Sequence, residues 1–323
     1  MCHDFQTDRQ TDRQTDSPDI AFLLMVHANP EQVNRFIGQL LRYENSWIYI
    51  HVDAKNPGMI DQLTESDRVF ILPEHIDCQW GDYSQVRAYK YLIEYAVKHR
   101  HHDFYSMHSG ADLAIRPVEE YAAYLKEQNL YAWTECQKLP NGWQFAGGFG
   151  RIALNWPDCF KKSVGRHSPI RYLRSMYGRL YGAGILRSRK LPDQYTYYGG
   201  GAWFTIRRDC AEDFLDFTAR EQAFEELFVH ALSGDEIYFV SVFQMTKGDR
   251  PVCSTNMLRY VDWAERGQKQ RPGSPNTLQM DFVDDIEASD AFFARKFDPK
   301  TDLQVIEYFL RKTGASDSDE KGA

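Results

Sequence analysis

Short apolar runs alternate with amphipathic stretches through the first half of the chain. Ile20-Ala-Phe-Leu-Leu-Met-Val26 is an unbroken apolar run, short enough for a buried strand. His27-Ala-Asn29-Pro30 follows, and then Val33, Phe36, Ile37, Leu40 and Leu41, whose spacing makes one apolar helix face. Asn29 suits an N-cap, and Pro30 suits the first helical position, where no backbone N–H is needed. Trp47-Ile-Tyr-Ile-His-Val52 reads as a second strand, ending at Asp53-Ala-Lys55. Strand, helix and strand within about thirty residues form a βαβ unit, which presents ligands at the carboxyl ends of its parallel strands. His27 and Asp53 stand at those two ends.

The alternation continues. Val69–Leu72 predicts a strand, and Ser84 can cap a helix carrying Val86, Tyr89, Ile93 and Ala96. Phe104–Met107 predicts a strand leading into His108-Ser-Gly-Ala-Asp112, Val118–Gln128 a helix, and Tyr131–Thr134 another strand. Further on, Ala202–Ile206 and Met257–Trp263 are strand-like, and Leu303, Ile306, Phe309 and Leu310 make a closing helix. The pattern predicts an α/β fold: one large Rossmann-like domain over 19–313, with a mostly parallel sheet flanked by helices. No G-x-G-x-x-G follows the first strand, so the dinucleotide-binding fingerprint is missing.

Two ends break the pattern. The repeat Thr-Asp-Arg-Gln within 1–18 has almost nothing to bury and predicts a disordered extension, as does the tail 314–323. A third stretch differs in charge. In a chain of net charge −8, residues 159–192 carry nine Lys and Arg and no Asp or Glu. Ile170, Leu173, Met176, Tyr177 and Leu180 give the same stretch an apolar stripe at helical spacing. It is either a basic insertion packed on the domain or a surface, 161–190, for anionic lipid or an anionic acceptor. The acidic balance elsewhere argues against nucleic acid. The six cysteines are scattered without a C-x-x-C pair, and no apolar run reaches the length of a membrane span. The expectation is a cytoplasmic protein with reduced thiols, working in solution or at the inner face of the membrane.

The candidate chemistry lies in Ser233-Gly-Asp-Glu-Ile-Tyr-Phe239. Gly234 interrupts an apolar run and a new helix-like run begins after it, so Glu236 falls on a first helical turn. Backbone N–H groups there favour an ionised carboxylate, as a general base requires. The same Ser233-x-x-Glu236 pattern also fits a capping box, and Asp235 is placed to cap the helix. Tyr197-Tyr-Gly-Gly-Gly201 before a strand allows close backbone approach, and it makes Gly200, with Trp203 for stacking, the candidate acceptor contact.

Taken in order, V-H-A-N-P, I-H-V-D-A-K, W-G-D-Y-S, H-S-G-A-D, Y-Y-G-G-G-A-W, S-G-D-E, L-R-Y-V-D-W and F-A-R-K-F-D resemble the core-2/I-branching β-1,6-N-acetylglucosaminyltransferase family. This is glycosyltransferase family 14, which includes peptide O-xylosyltransferases. The resemblance runs from about Ile20 to Lys312, with no match in the basic stretch, and without an evident membrane anchor the chain looks more like bacterial-type members that work in the cytoplasm. It implies a GT-A fold and inverting transfer from a UDP-sugar, N-acetylglucosamine before xylose, to a glycan or lipid-linked glycan. Glu236 matches the catalytic base, and Lys296 a phosphate-binding lysine. Arg259 matches a phosphate-binding arginine, with Arg271 as its rival. His27 and Asp53 would lie by the uridine, and Asp112 near the donor sugar or ribose. The family works without a metal cofactor, and here Asp-x-Asp occurs only as Asp317-Ser-Asp319 in the tail. A degenerate member that binds sugar or nucleotide without turnover is the remaining alternative. A Glu236 or Lys296 side chain turned into the core would favour it.

Overall fold

Strict alternation along Ile20–Val26 divides the protein into two cores on opposite faces of one sheet. Ile20, Phe22, Leu24 and Val26 point to one side, and Ala21 and Leu23 to the other. The computed structural model describes residues 17–165, 167–264 and 274–315. The first half of the chain forms β1 (Ile20–Val26), α1 (Pro30–Leu41), β2 (Ser46–Val52), β3 (Val69–Ile71), α2 (Tyr83–His99), β4 (Phe104–Ser109), β5 (Asp112–Ala114), α3 (Val118–Gln128) and β6 (Ala132–Trp133). Next come β7 (Cys136–Lys138), α4 (Gln144–Gly147), α5 (Gly150–Ala153), α6 (Pro169–Gly182), β8 (Tyr198–Gly200), β9 (Thr205–Arg207), α7 (Arg208–Arg220) and α8 (Gln222–Glu226). The chain closes with α9 (Asp235–Thr246), β10 (Val252–Cys253), β11 (Arg259–Val261), α10 (Val283–Glu287), β12 (Phe293–Arg295) and α11 (Leu303–Lys312).

The seven-stranded sheet has the order β10-β6-β9-β4-β1-β2-β3. Only β9 runs antiparallel to its neighbours. One face is covered by the apolar stripes of α1, α3 and α11, through Phe36, Leu40, Leu125, Ile306 and Phe309. The other is covered by α2, α7 and α9, through Leu92, Ile93, Phe214, Phe239 and Phe243. This is the α/β architecture that the alternation predicts. Two small sheets complete it: β11-β12-β5, and the antiparallel pair β7-β8. The first of these brings residues from three distant stretches side by side.

Local details differ at the caps. Asn29 occupies the N-cap of α1 at φ 54°, a left-handed conformation Asn tolerates, but its side chain makes no capping bond. Asp82, not Ser84, caps α2, its Oδ1 accepting from Ser84 N at 2.9 Å. The two terminal expectations (1–18 and 314–323) fall mostly outside the described residues. Among the described residues no helix is long and apolar enough to cross a membrane. The described cysteines, Cys78, Cys136, Cys159, Cys210 and Cys253, are all free thiols.

Candidate active site

A cleft of about 760 Å³ opens beside the small sheets. Its wall includes Glu236 and Asp235 at the start of α9, Arg295 and Lys296 at the end of β12, and Gly199–Trp203 from the end of β8 onward. Aromatic side chains line much of the rest: Trp80, Tyr89, Trp143 and Trp263. Of the residues the sequence singles out, Glu236, Lys296, Gly200 and Trp203 meet here. His27, Asp53, Asp112 and Arg259 do not form part of this wall.

Glu236 stands on the first turn of α9, and its side chain is 36 % exposed, so it faces the cleft and not the core. Its Oε2 accepts from an Arg151 Nη1 donor in a close ion pair. Arg151 in turn lies 4.1 Å over the Trp143 ring, which fixes the guanidinium between an indole and the carboxylate. Neither Arg151 nor Trp143 is marked by a local pattern; Arg151 stands on α5, beside the approach to α9, where the Leu232 N–H donates to its carbonyl at 3.0 Å. The capping box is not formed. Gly234 is the N-cap, and no side chain caps the helix.

Asp235 therefore corrects the expectation of a helix cap. It is buried, and its Oδ1 has no hydrogen-bond partner. Burial, and then the adjacent Glu236 charge, push its carboxyl up to about 7. A carboxyl raised in the folded state binds its proton more tightly there than in the unfolded chain. Its stabilising contribution is complete below the unfolded value near 4 and is lost as pH rises through about 7. Every tenfold gain in proton affinity on folding is worth about 1.4 kcal/mol. Urea unfolding of Asp235→Asn is thus expected to lack a fall of a few kcal/mol that the wild type shows between pH 4 and pH 8, the range that spans its unfolded and folded values.

The three-stranded sheet builds the cationic side. Arg295 and Asp112 are direct cross-strand partners, and Arg295 Nε donates to Asp112 Oδ1 at 3.1 Å. Ser109 Oγ donates to the same oxygen at 2.6 Å, and Arg259 Nε lies 3.0 Å from Oδ2. Asp112 has no exposed surface. Burial pushes its pKa up, but Arg259, His108 and Arg295 outweigh it and hold the carboxylate well below its usual range. Arg259 Nη2 donates to the Met107 carbonyl at 2.8 Å and to His108 Nδ1 at 2.7 Å. Burial, and then the Arg259 charge, push that imidazole down to about 4; its Nδ1 also lies 3.3 Å from Asp112 Oδ2, and its Nε2 2.8 Å from Ser106 Oγ.

This network moves two assignments. Arg259 is a buried partner of Asp112 and lies off the cleft wall, unlike the diphosphate-facing position expected of it. Asp112, expected near a donor sugar or ribose, is a counter-ion held by protein groups and lies off the same wall. Arg295 takes the cleft position instead, with its guanidinium 4.1 Å over Trp203. Lys296 follows it and donates from Nζ to Ser274 Oγ at 2.7 Å. The rival Arg271 lies outside the described residues, between Trp263 and Ser274, which both line the cleft.

The remaining candidates divide. His27 stands among the charges of Asp53, Lys296, Lys55 and Arg295; displaced water lowers its pKa, Asp53 opposes that, and the three cations add to it. Asp53 is buried and engaged by Lys55, through the backbone N–H at 2.9 Å and Nζ at 3.3 Å. Gly200 allows a close approach of the protein's own backbone, because a Cβ there would meet the Glu135 carbonyl oxygen at 1.6 Å. Trp203 lines the cleft, but Arg295 already covers its ring. Among the described residues no three His, Cys, Asp or Glu side chains converge on a position for a metal ion.

Residues 20–287 match the family model described as Branch: Core-2/I-Branching enzyme. The chain belongs to the core-2/I-branching enzyme family. Its relatives include xylosyltransferase 2 of Rattus norvegicus, 24% identical over 317 residues, covering 89% of this chain and 33% of that protein. Xylosyltransferase 1 of Homo sapiens is 23% identical over 322 residues, covering 90% and 30%. Xylosyltransferase sqv-6 of Caenorhabditis briggsae is 22% identical over 311 residues, covering 89% and 36%. The chain thus spans about a third of the length of these relatives. A solved structure of 4-diphosphocytidyl-2C-methyl-D-erythritol synthase from Anaerococcus prevotii is also similar, at 11% identity and TM-score 0.34, covering 73% of this chain and 87% of that one.

Proposed function

We propose that this family member is an inverting glycosyltransferase that moves a sugar from a UDP-sugar to a hydroxyl of a glycan acceptor, without a divalent metal. The observation that carries the proposal is one cleft lined both by Glu236 and by Arg295 and Lys296. Glu236 takes the acceptor proton on Oε1, while Arg151 holds Oε2 and fixes the carboxylate's direction. The acceptor oxygen then bonds to the anomeric carbon from the face opposite UDP, and the bond to the diphosphate breaks with its electron pair leaving on UDP. Arg295 and Lys296 offset the charge that develops there. His27 and Asp53, at the ends of β1 and β2, take the uridine side. Arg259 acts at one remove, by sharing Asp112 with Arg295. Exposed Glu236 and cleft-facing Lys296 speak against a member that binds without turnover.

N-acetylglucosamine is the donor sugar proposed from the family's motifs. The xylosyltransferase names of the relatives favour xylose as the second reading.

Fixed cations in place of a metal lead to a specific expectation. Binding of UDP and of uridine is measured by calorimetry in EDTA, for wild type and Lys296→Ala. A charge-assisted contact is worth about 1.5–3 kcal/mol, so UDP should weaken roughly ten- to a hundredfold. Uridine, which lacks the diphosphate, should hardly change. Equal losses would make Lys296 structural, and UDP binding restored only by manganese would make the site metal-dependent.

A further inference from the structure

The basic stretch 159–192 is divided by the fold into two sets of cations. Lys161 is buried between Asp82 and Asp158, 3.1 Å from each. Arg189 donates to the carbonyls of Ile152 and Leu227 at 2.7 and 2.9 Å. Arg174 donates to the Lys162 carbonyl at 2.7 Å and stands 5.0 Å over Trp80. These three pin the stretch to the body. Lys162, Arg171, Arg179, Arg187 and Lys190 are left exposed.

Helix α6 carries the apolar part of the same surface. On its inner side Tyr177 and Tyr181 pack into the small cluster of Trp156, Phe145 and Phe160. The approach is close: a Cβ on Gly178 would meet the Phe145 ring at 1.9 Å. On the outer side Tyr172 is 67 % exposed, Leu173 46 % and Met176 53 %, and Ile185 just beyond the helix is 68 % exposed. Exposed apolar side chains scattered singly need no explanation, but four gathered within one turn-and-a-half of helix and its exit mark a contact surface.

We propose that this face of α6 seats the protein on an anionic lipid bilayer. An amphipathic helix with aromatic and long aliphatic side chains outward, flanked by Arg and Lys, lies in the headgroup plane with its cations on lipid phosphates. Charge decides against the obvious competitor. A two-fold dimer through this face would set the exposed Arg171 and Arg179 of one copy against the same cationic face of the other. Location gives the seat a purpose, and this step rests on the proposed glycosyl transfer. Tyr181 packs on Gly150, whose neighbour Arg151 holds Glu236, and Arg174 covers the cleft residue Trp80. A bilayer under α6 brings a lipid-linked glycan to the acceptor end of the cleft.

Sedimentation with vesicles tests this on the full chain. Binding is expected to vesicles containing phosphatidylglycerol, to be absent on phosphatidylcholine alone, and to fall with salt. Arg171→Glu with Arg179→Glu should lower partitioning at least fivefold per cation. Tyr172→Ser, Leu173→Ser and Met176→Ser together should lower it at least tenfold, with an unchanged thermal melt and unchanged UDP release in solution. No binding to anionic vesicles at low salt, or binding by both variants equal to that of the wild type, overturns the proposal. So does light scattering that finds a wild-type dimer dissolved by the serine variant in the absence of vesicle binding. Vesicle binding needs no donor sugar. UDP release without vesicle binding therefore removes the membrane seat alone, and vesicle binding without UDP release from any donor removes the glycosyl-transfer reading alone.

Discussion

Glu236→Gln should fold and bind UDP as the wild type does but transfer sugar roughly two to four orders of magnitude more slowly, the range for a general base. The substitution keeps the size of the side chain and an oxygen for Arg151. It removes the one property the step requires, a carboxylate that accepts the acceptor's proton. Stability should hardly change, because the ion pair is partly open to solvent, with Arg151 21 % and Glu236 36 % exposed. Single-turnover transfer and calorimetric UDP binding on the two proteins separate chemistry from binding. Asp235→Asn is the comparison. Its carboxyl is buried, whereas the Glu236 carboxylate is open to the cleft where an acceptor hydroxyl would approach. Transfer that survives Glu236→Gln and fails in Asp235→Asn would move the base to Asp235.

The second large effect is on folding. Asp112→Ala is expected to destabilise the protein by about 3–5 kcal/mol in urea unfolding, because it strands two guanidinium groups in the interior. Arg259 would keep only its bonds to the Met107 carbonyl and the neutral His108 ring. Arg295 would lose the carboxylate that sets its direction toward the cleft, retaining Ser109 Oγ at 3.3 Å and the Trp203 face. Replacing one member of a buried ionic cluster is harsher than replacing the cluster, since the remaining charges stay desolvated. If Asp112→Ala instead leaves stability intact and weakens UDP-sugar binding, Asp112 is a ligand contact and Arg295 is held by other means.

The legible part of the fold is its first half. Apolar runs and amphipathic stripes of ordinary length are enough to place β1, α1, β2, α2, β4 and α3, because each buries a continuous face against one sheet. The sheet β11-β12-β5 is not legible in the same way. Its strands are three residues long and lie far apart in sequence, so no local pattern says that Arg295 pairs with Asp112. That is why the motif around Arg259 points to a cleft residue when the side chain is buried. Arg259 and Arg295 are both buried on the same face of that sheet and share Asp112, and only Arg295, at the end of its strand, lines the cleft. Glu236 is legible because a glycine and a helix start make a position, whereas Arg151 and Trp143 come from a turn with no periodicity. Gly200 shows the limit of reading glycine from sequence: it allows a close approach, but the Glu135 backbone is what approaches.

The most direct measurement is UDP release from a panel of UDP-sugars that includes UDP-N-acetylglucosamine and UDP-xylose, by wild type and Glu236→Gln, in EDTA. Release above the enzyme-free blank from at least one donor, lost in Glu236→Gln, is the predicted result. No release from any donor, or release at the same rate by the variant, would contradict the assignment of this cleft to UDP-sugar chemistry.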